Sequence, residues 1–301
     1  MLFTIAIPTF NNENTILTAI KSALNQDIDI EYEVLVVNNA STDLTLEKIK
    51  SIKSSKMRII NNKLTVSMYE NHNICLKEAK GDYILFCHSD DKLEPNAIEI
   101  LYDKISKRKF PKKCVVWGHS LFRDFQTALL RTNWNINEGI VGERAYTLFL
   151  FGGLTPSGTC YSRKIFLEQG GFIELKHKVN KSDCITMINL AFNGFMFEMI
   201  DELYFKRETA STMKIGTSLQ DILDSYDEIA EWVIGNYDNN RINKIIFPNI
   251  NTMPFSFLYA FSNYKKYKKD IFVKCIKQFI KHPSIVFSDV YRKIIKRCLF
   301  G

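Results

Sequence analysis

The sequence predicts an α/β fold in which a largely parallel central sheet is flanked by helices and followed by a C-terminal helical appendage. Two observations in residues 1–120 carry this. Short β-rich runs alternate with longer helical patterns, and the runs are apolar throughout, without alternating polar residues. Continuous apolar strands separated by helices mark βαβ units whose sheet is covered on both faces. The third observation is that only helical patterns remain from residue 216 onward.

In chain order, the strand candidates are Phe3–Ile7, Glu33–Val37, Arg58–Ile60, Tyr83–Cys87 and Val115–Gly118. Between them, helical patterns occupy 13–25, 43–53, 69–80 and 95–108. Residues 120–210 are less regular. They hold a small-residue loop, Gly152–Gly158, a strand-like TCYS at 159–162 and the turn Gly170-Gly171-Phe172. A helix pattern from Asp183 to Phe192 and a strand-like run, Phe195–Phe205, follow. Helices at 218–234, 251–262, 268–281 and 284–299 complete the chain. The organisation expected is one domain over 1–212, in halves 1–120 and 121–212, and a basic helical region over 213–301.

Composition narrows the class. With 301 residues, 46% hydrophobic and 13% aromatic, the chain can bury a proper core and is not of disordered type. Seven cysteines are scattered without a C-x-x-C pair, which argues against a disulfide framework or zinc site and fits a reducing cytosol. The apolar run at 2–8 is too short for a signal peptide, and no run approaches a membrane span. The net charge of +7 is uneven: residues 262–301 carry 9 Lys and 2 Arg against 2 Asp, hence +9, which leaves −2 for the rest. Partners for the basic character belong to the tail.

Ligands of open parallel sheets bind beyond the carboxyl ends of the strands. The segments there are Pro8–Glu13, Asn38–Asp43, Asn61–Ser67 and His88–Asp91, all polar. Asp90 and Asp91 follow the buried run YILFC, and adjacent carboxylates in such a place need a cation or hydrogen bonds. Mg²⁺ or Mn²⁺ needs few protein carboxylates where substrate phosphates complete its shell. The structural alternative is a helix start, with Asp91 or Glu94 ahead of Pro95. Ser41–Asp43 read as a helix cap, whereas Asn38 and Asn39 offer amides to a nucleobase edge. Pro8-Thr9-Phe10-Asn11-Asn12-Glu13 combines a strand terminator with a helix start, and its exposed backbone and Phe10 suit a base and ribose. Asp183 on its own reads as an N-cap. There is no G-x-x-x-x-G-K-[ST], G-x-G-x-x-G or G-x-S-x-G, and the five histidines lack metal-ligand spacing.

The ordered succession TIAIPTFNNENTILTAIKSALNQ, YEVLVVNNASTD, NHNICLKEAKGDYILFCHSDD and SGTCYSRKIFLEQGGF, with the helix from Asp183, resembles the family 2 glycosyltransferases of GT-A fold. The resemblance covers residues 3–210 and implies a Rossmann-like GT-A catalytic domain and an inverting reaction. It implies that Pro8–Asn11 line the nucleoside pocket, that Asn38 or Asn39 contacts the base, and that Asn73 lies near the nucleotide. It also implies that His88-Ser89-Asp90 stands for the D-x-D metal motif, with Asp90 as the ligand and Asp91 a second candidate. Asp183 then becomes the catalytic base. The sequence departs from the family at His88 and at Asn38-Asn39, which usually are acidic, and KRETAS at 206–211 lacks a histidine that many members carry.

The activity expected is transfer of a hexose or N-acetylhexosamine from a nucleotide-sugar, UDP-linked first and dTDP-linked second, to a saccharide or undecaprenyl-diphosphate-linked acceptor. The setting is cell-surface polysaccharide or O-antigen lipopolysaccharide assembly, with Mn²⁺ or Mg²⁺ as cofactor. A non-catalytic nucleotide-sugar-binding module and a sugar nucleotidyltransferase are the alternatives. In the tail, Ile271, Phe272, Cys275, Phe279 and Ile280, then Val290, Ile294, Ile295 and Cys298, recur at helical spacing among cations. Such helices suit an anionic membrane surface, or else pack on the catalytic domain with a solvated basic face. Nothing supports nucleic-acid readout. The location expected is cytoplasmic, peripheral on the inner face of the cell membrane.

Overall fold

A computed structural model describes residues 2–120, 139–142, 145, 149, 154–176, 182–207, 228–229, 231–233, 235–237, 268–281, 283, 286 and 289–300. The strands are β1 (Phe3–Thr9), β2 (Tyr32–Asn38), β3 (Met57–Asn61), β4 (Tyr83–Phe86), β5 (Asp91–Leu93), β6 (Cys114–Ser120), β7 (Thr159–Ser162) and β8 (Met196–Arg207). The helices are α1 (Ile16–Leu24), α2 (Thr45–Ser51), α3 (Met68–Glu78), α4 (Ala97–Lys107), α5 (Arg163–Glu168), α6 (Ser182–Phe192), α7 (Lys268–Lys281) and α8 (Asp289–Phe300).

The strands form one sheet in the order β3-β2-β1-β4-β7-β6-β8-β5. β1 pairs in parallel with β2 and β4, β2 with β3, and β6 with β8. β7 runs antiparallel to β4 and β6, and β5 antiparallel to β8. The largely parallel sheet flanked by helices is therefore present, its antiparallel pairs confined to the β7 and β5 junctions. Every residue of β1 and β2 is buried, as continuous apolar strands covered on both faces require. α1 buries Ile16, Ala19, Ile20 and Ala23 against the sheet, one stripe at i, i+3, i+4 and i+7. α4 does the same with Ala97, Ile98, Leu101 and Ile105. Fully burying each Ile, Leu or Phe of this core contributes about 1.5–3 kcal/mol.

Two elements were absent from the sequence expectation. β5 is three residues, Asp-Lys-Leu, and becomes a strand only because β8 extends to Arg207 to pair with it. α5 is a six-residue helix, too short for a periodic signal. Asp91 thus lies in a strand and is not a helix cap: α4 begins after Asn96, with no side-chain cap bond. Gly158 closes the turn before β7. Its φ is +77°, and a Cβ there would stand 2.7 Å from the Phe205 ring.

The chain forms two compact units. Met1–Tyr146, Leu154–Glu174 and Thr186–Met213 make the first, which holds the sheet; Thr147–Gly153, Leu175–Ile185 and Lys214–Gly301 make the second. In the second unit α7 and α8 pack together through Ile271, Cys275, Tyr291 and Cys298, and the Tyr291 hydroxyl donates to the Cys275 carbonyl at 3.0 Å. The expected helix at 251–262 and much of that at 218–234 lie outside the described residues, as do 177–181 and 208–211.

Candidate active site

The strand order fixes where a ligand belongs. The chain leaves β1 for β2 on one side and returns to β4 on the other, so β1 and β4 form the switch point of the sheet. Thr9 ends β1, and Cys87-His88-Ser89-Asp90-Asp91 follows β4.

On the β1 side, Pro8 pairs within the sheet and Thr9 is buried, its Oγ1 without a hydrogen-bond partner among the described residues. A buried, unpaired hydroxyl costs about 1–3 kcal/mol, which is a reason to look for a ligand there. Phe10 is 45% exposed. Asn11 adopts a left-handed conformation, φ 50°, and joins two loops: its N–H donates to Ser41 Oγ at 2.9 Å, and its Oδ1 accepts the Thr42 N–H at 2.8 Å. Asp43 accepts the Thr45 N–H at 2.9 Å, a turn just ahead of α2, and the Glu13 N–H at 3.1 Å; the cap expected from Ser41–Asp43 is not formed, since the N-cap of α2 is Leu44, without a side-chain cap bond. Slight burial opposes ionisation, yet these hydrogen bonds hold its carboxyl below the ordinary value.

Asn38 and Asn39 are buried within an asparagine cluster. Asn38 donates to Asn61 Oδ1 at 2.6 Å and accepts from Ser41 Oγ at 2.6 Å. Asn39 donates to the Val66 carbonyl and accepts the Val66 N–H, both at 2.9 Å, and also accepts from Asn62 at 3.0 Å. Asn62 donates in addition to Asn71 Oδ1 at 3.0 Å. The amide of Asn39 thus pairs with one N–H and one C=O of a neighbouring peptide, the same donor and acceptor pattern that a nucleobase edge offers. Asn61, Asn62 and Asn71 were not singled out in the sequence, although their crowding beyond the β2 and β3 ends was visible there.

Asn73 spends its amide within the fold. Its Nδ2 donates to the Phe172 carbonyl at 2.9 Å, and its Oδ1 accepts the Phe172 N–H at 2.7 Å. This amide clamps α3 to the turn at Gly171, whose φ is +69° and whose absent Cβ makes room for Asn73 Oδ1. Its polar atoms serve the fold.

On the β4 side, one ligand atom each from His88, Asp90 and Asp91 lies within 4.8 Å of the others. One nitrogen and two carboxylates fit a divalent ion of the Mn²⁺ or Mg²⁺ type, with coordination left for phosphate oxygens. Ser157 fixes this turn: it accepts the His88 N–H at 2.8 Å and donates to Asp91 Oδ2 at 2.7 Å. The Ser89 hydroxyl donates to Asn12 Oδ1 at 2.8 Å, tying the turn to the β1 loop. His72 Nε2 stands 2.9 Å from His88 Nε2, while its Nδ1 stands 2.7 Å from the Met68 carbonyl. Burial lowers the His72 pKa to about 4. Ser157, Asn12 and His72 were missed in the sequence, since their partners lie far away in the chain or on another element.

Asp183 lies in the first turn of α6 and is 6% exposed. It belongs to the second unit, while α6 from Thr186 onward belongs to the first.

Comparison with known proteins follows the same line. Residues 4–166 match the sequence model of a family described as glycosyl transferase family 2. An uncharacterized protein of Mycobacterium tuberculosis is 24% identical over 257 residues, covering 77% of this chain and 76% of its own length. The Escherichia coli protein WfaP, a UDP-Glc:α-D-GlcNAc-diphosphoundecaprenol β-1,3-glucosyltransferase, is 37% identical over 90 residues, covering 30% of this chain and 36% of that protein. The match therefore spans about a third of that relative. The crystal structure of TarS residues 1–349 from Staphylococcus aureus, in complex with UDP-GlcNAc, superposes with a TM-score of 0.67. It covers 99% of this chain and 83% of that one at 17% identity, a likeness of fold.

Proposed function

This chain belongs to glycosyl transferase family 2 and is a glycosyltransferase of GT-A fold, and from that premise we propose that it moves a hexose or N-acetylhexosamine from a UDP-linked donor to a lipid-linked saccharide acceptor, inverting the anomeric carbon, in cell-surface polysaccharide assembly. The observation that carries the site is the meeting, at the β1/β4 switch point, of a buried unpaired hydroxyl on Thr9 with the donor group of His88, Asp90 and Asp91. The named activity of WfaP, on a UDP-sugar and a diphosphoundecaprenol acceptor, supports the choice of donor and acceptor class.

In this reading Pro8, Thr9, Phe10 and Asn11 line the nucleoside pocket, with Asn38 and Asn39 at the base and Ser89 beside the ribose and diphosphate. Asp90, with Asp91 adjacent, holds a divalent cation, Mn²⁺ or Mg²⁺. When bound, that ion offsets the charge of the departing diphosphate, so no protonated leaving group is needed. Asp183 accepts the proton of the acceptor hydroxyl as that oxygen attacks the anomeric carbon.

Support for a location comes from the second unit. No helix among the described residues is long and apolar enough to cross a membrane. On α7, Val273, Ile276 and Ile280 are exposed on one stripe, Ile280 at 71%, beside exposed Lys269 and Lys277. Apolar residues ringed by cations suit an anionic lipid surface, where each cation adds about 1 kcal/mol. We infer peripheral attachment to the inner face of the membrane, next to a lipid-linked acceptor.

A screen of UDP- and dTDP-sugars for cation-dependent release of UDP or dTDP tests the donor. Asp183→Asn should abolish transfer with nucleotide affinity within about twofold of the parent; a fully active variant refutes its role. Release of pyrophosphate from UTP or dTTP in the presence of a sugar 1-phosphate, with no UDP or dTDP released from the sugar donors, would favour a nucleotidyltransferase and refute glycosyl transfer. Removal of 263–301, or the combined Lys269→Glu, Lys277→Glu and Ile280→Glu change, should release the protein from anionic vesicles. Unchanged partitioning refutes membrane attachment.

A further inference from the structure

The histidine pair behind the cation turn has a direction written into it. A carbonyl oxygen carries no proton, so the 2.7 Å approach of His72 Nδ1 to the Met68 carbonyl makes Nδ1 the protonated nitrogen. The ring is buried among Tyr69, Phe86 and Phe172, where a second proton would bring an unpaired charge into an apolar cage. His72 is therefore neutral, and its Nε2 is an acceptor. At 2.9 Å from that acceptor, His88 Nε2 must be the donor. Binding a cation requires a neutral imidazole, and with the proton of His88 on Nε2 the nitrogen that can bind one is Nδ1.

We propose that His88 is a nitrogen ligand of the cation site through Nδ1, and that His72 is the positioning residue that fixes this tautomer and ring orientation. The inference rests on the reading of Asp90 as a cation ligand. It also gives a reason for a histidine where the family usually has an aspartate. A metal-bound imidazole is held by whatever its other nitrogen donates to, and here the recipient is a second imidazole on α3. The chemical consequence is selectivity. One imidazole beside carboxylates favours Mn²⁺ or Co²⁺ over Mg²⁺, which prefers an all-oxygen shell.

The experiment uses the full chain with Mn²⁺, with and without UDP, and pulsed electron paramagnetic resonance of the bound ion. Parent protein should show a ¹⁴N coupling that converts to ¹⁵N when only histidine is ¹⁵N-labelled. His88→Asp should keep the ion, lose the coupling and bind Mg²⁺ and Mn²⁺ more equally. His72→Phe fills the aromatic cage but accepts no proton, so Mn²⁺ affinity should fall roughly 10- to 100-fold with loss of the coupling. His72→Gln, whose amide oxygen sits where Nε2 did, should restore both. Bound Mn²⁺ without histidine coupling, coupling that survives His88→Asp, or a His72→Phe protein like the parent each overturns the proposal. The Asp90 reading fails separately, if Asp90→Asn binds Mn²⁺ as the parent does.

Discussion

Asn73→Ala separates a fold role from a ligand role in one measurement. The side chain gives Phe172 both a donor and an acceptor, at 2.9 and 2.7 Å, and Phe172 itself is buried under His72, Phe86 and Tyr161. Alanine removes both bonds and leaves the Phe172 N–H and C=O without them. Two neutral hydrogen bonds at about 1 kcal/mol each, with the added cost of unpaired buried groups, give a loss of about 2–4 kcal/mol. At roughly 2–4 °C per kcal/mol for a chain of this size, Tm should drop by roughly 4–16 °C. Thermal unfolding followed by circular dichroism reads the loss, and titration calorimetry with UDP and Mn²⁺ at 15 °C reads binding, which should stay within about twofold. Asn73→Asp keeps the acceptor but sets a carboxylate against the Phe172 carbonyl, so it should also be less stable than the parent. An Asn73→Ala protein with parental Tm and lost UDP binding would refute the clamp and return Asn73 to the nucleotide pocket.

Ser157→Ala removes the bridge between the His88 N–H and the Asp91 carboxylate, so Mn²⁺ affinity should fall by roughly 10-fold or more while the Tm loss stays near 1–3 kcal/mol equivalent; parental Mn²⁺ binding in calorimetry would show that the turn holds itself. His72, with its pKa lowered to about 4 from 6.5, binds fewer protons folded than unfolded between those values. Stability tied to its neutral form is complete above pH 6.5 and is lost as pH falls toward 4, by about 3 kcal/mol in all. Urea unfolding in EDTA at pH 7.5 and 4.5 should therefore show a larger loss for the parent than for His72→Phe, and equal losses would contradict that assignment.

The parallel half of the fold was legible because β1, β2 and β4 are apolar runs bounded by Pro8, Asn38 and His88, and because α1 and α4 repeat their apolar residues at helical spacing. The strands run on past those runs into Thr9 and Asn38, since ladder bonding does not stop where hydrophobicity does. β5 was not legible, because Asp-Lys-Leu before Pro95 reads as a helix start and only its pairing with Arg207 makes it a strand. In the candidate site, Asp90 and the Thr9 loop stand at the strand ends where position alone had put them. What could not be found was how the amides are used. Asn39 and Asn73 look equally available in sequence, yet one is bonded to the peptide of Val66 and the other to that of Phe172. Ser157 lay within the small-residue loop 152–158, where nothing marks its hydroxyl as the bridge between His88 and Asp91.

The antiparallel pairing of β5 with β8 has a consequence for how the protein is made. When a growing chain has emerged to residue 120, β1 to β4 and their helices are already available, but Ser157 and the strand ending at Arg207 are still to be synthesised. The turn at His88–Asp91 then has Asn12 and His72 beside it but lacks Ser157 and β8, its later partners, and closing so long a loop is slow compared with local folding. On the proposed reading of this turn, capacity to hold a cation therefore arrives late in translation, and a chain that stops early yields a core without that centre.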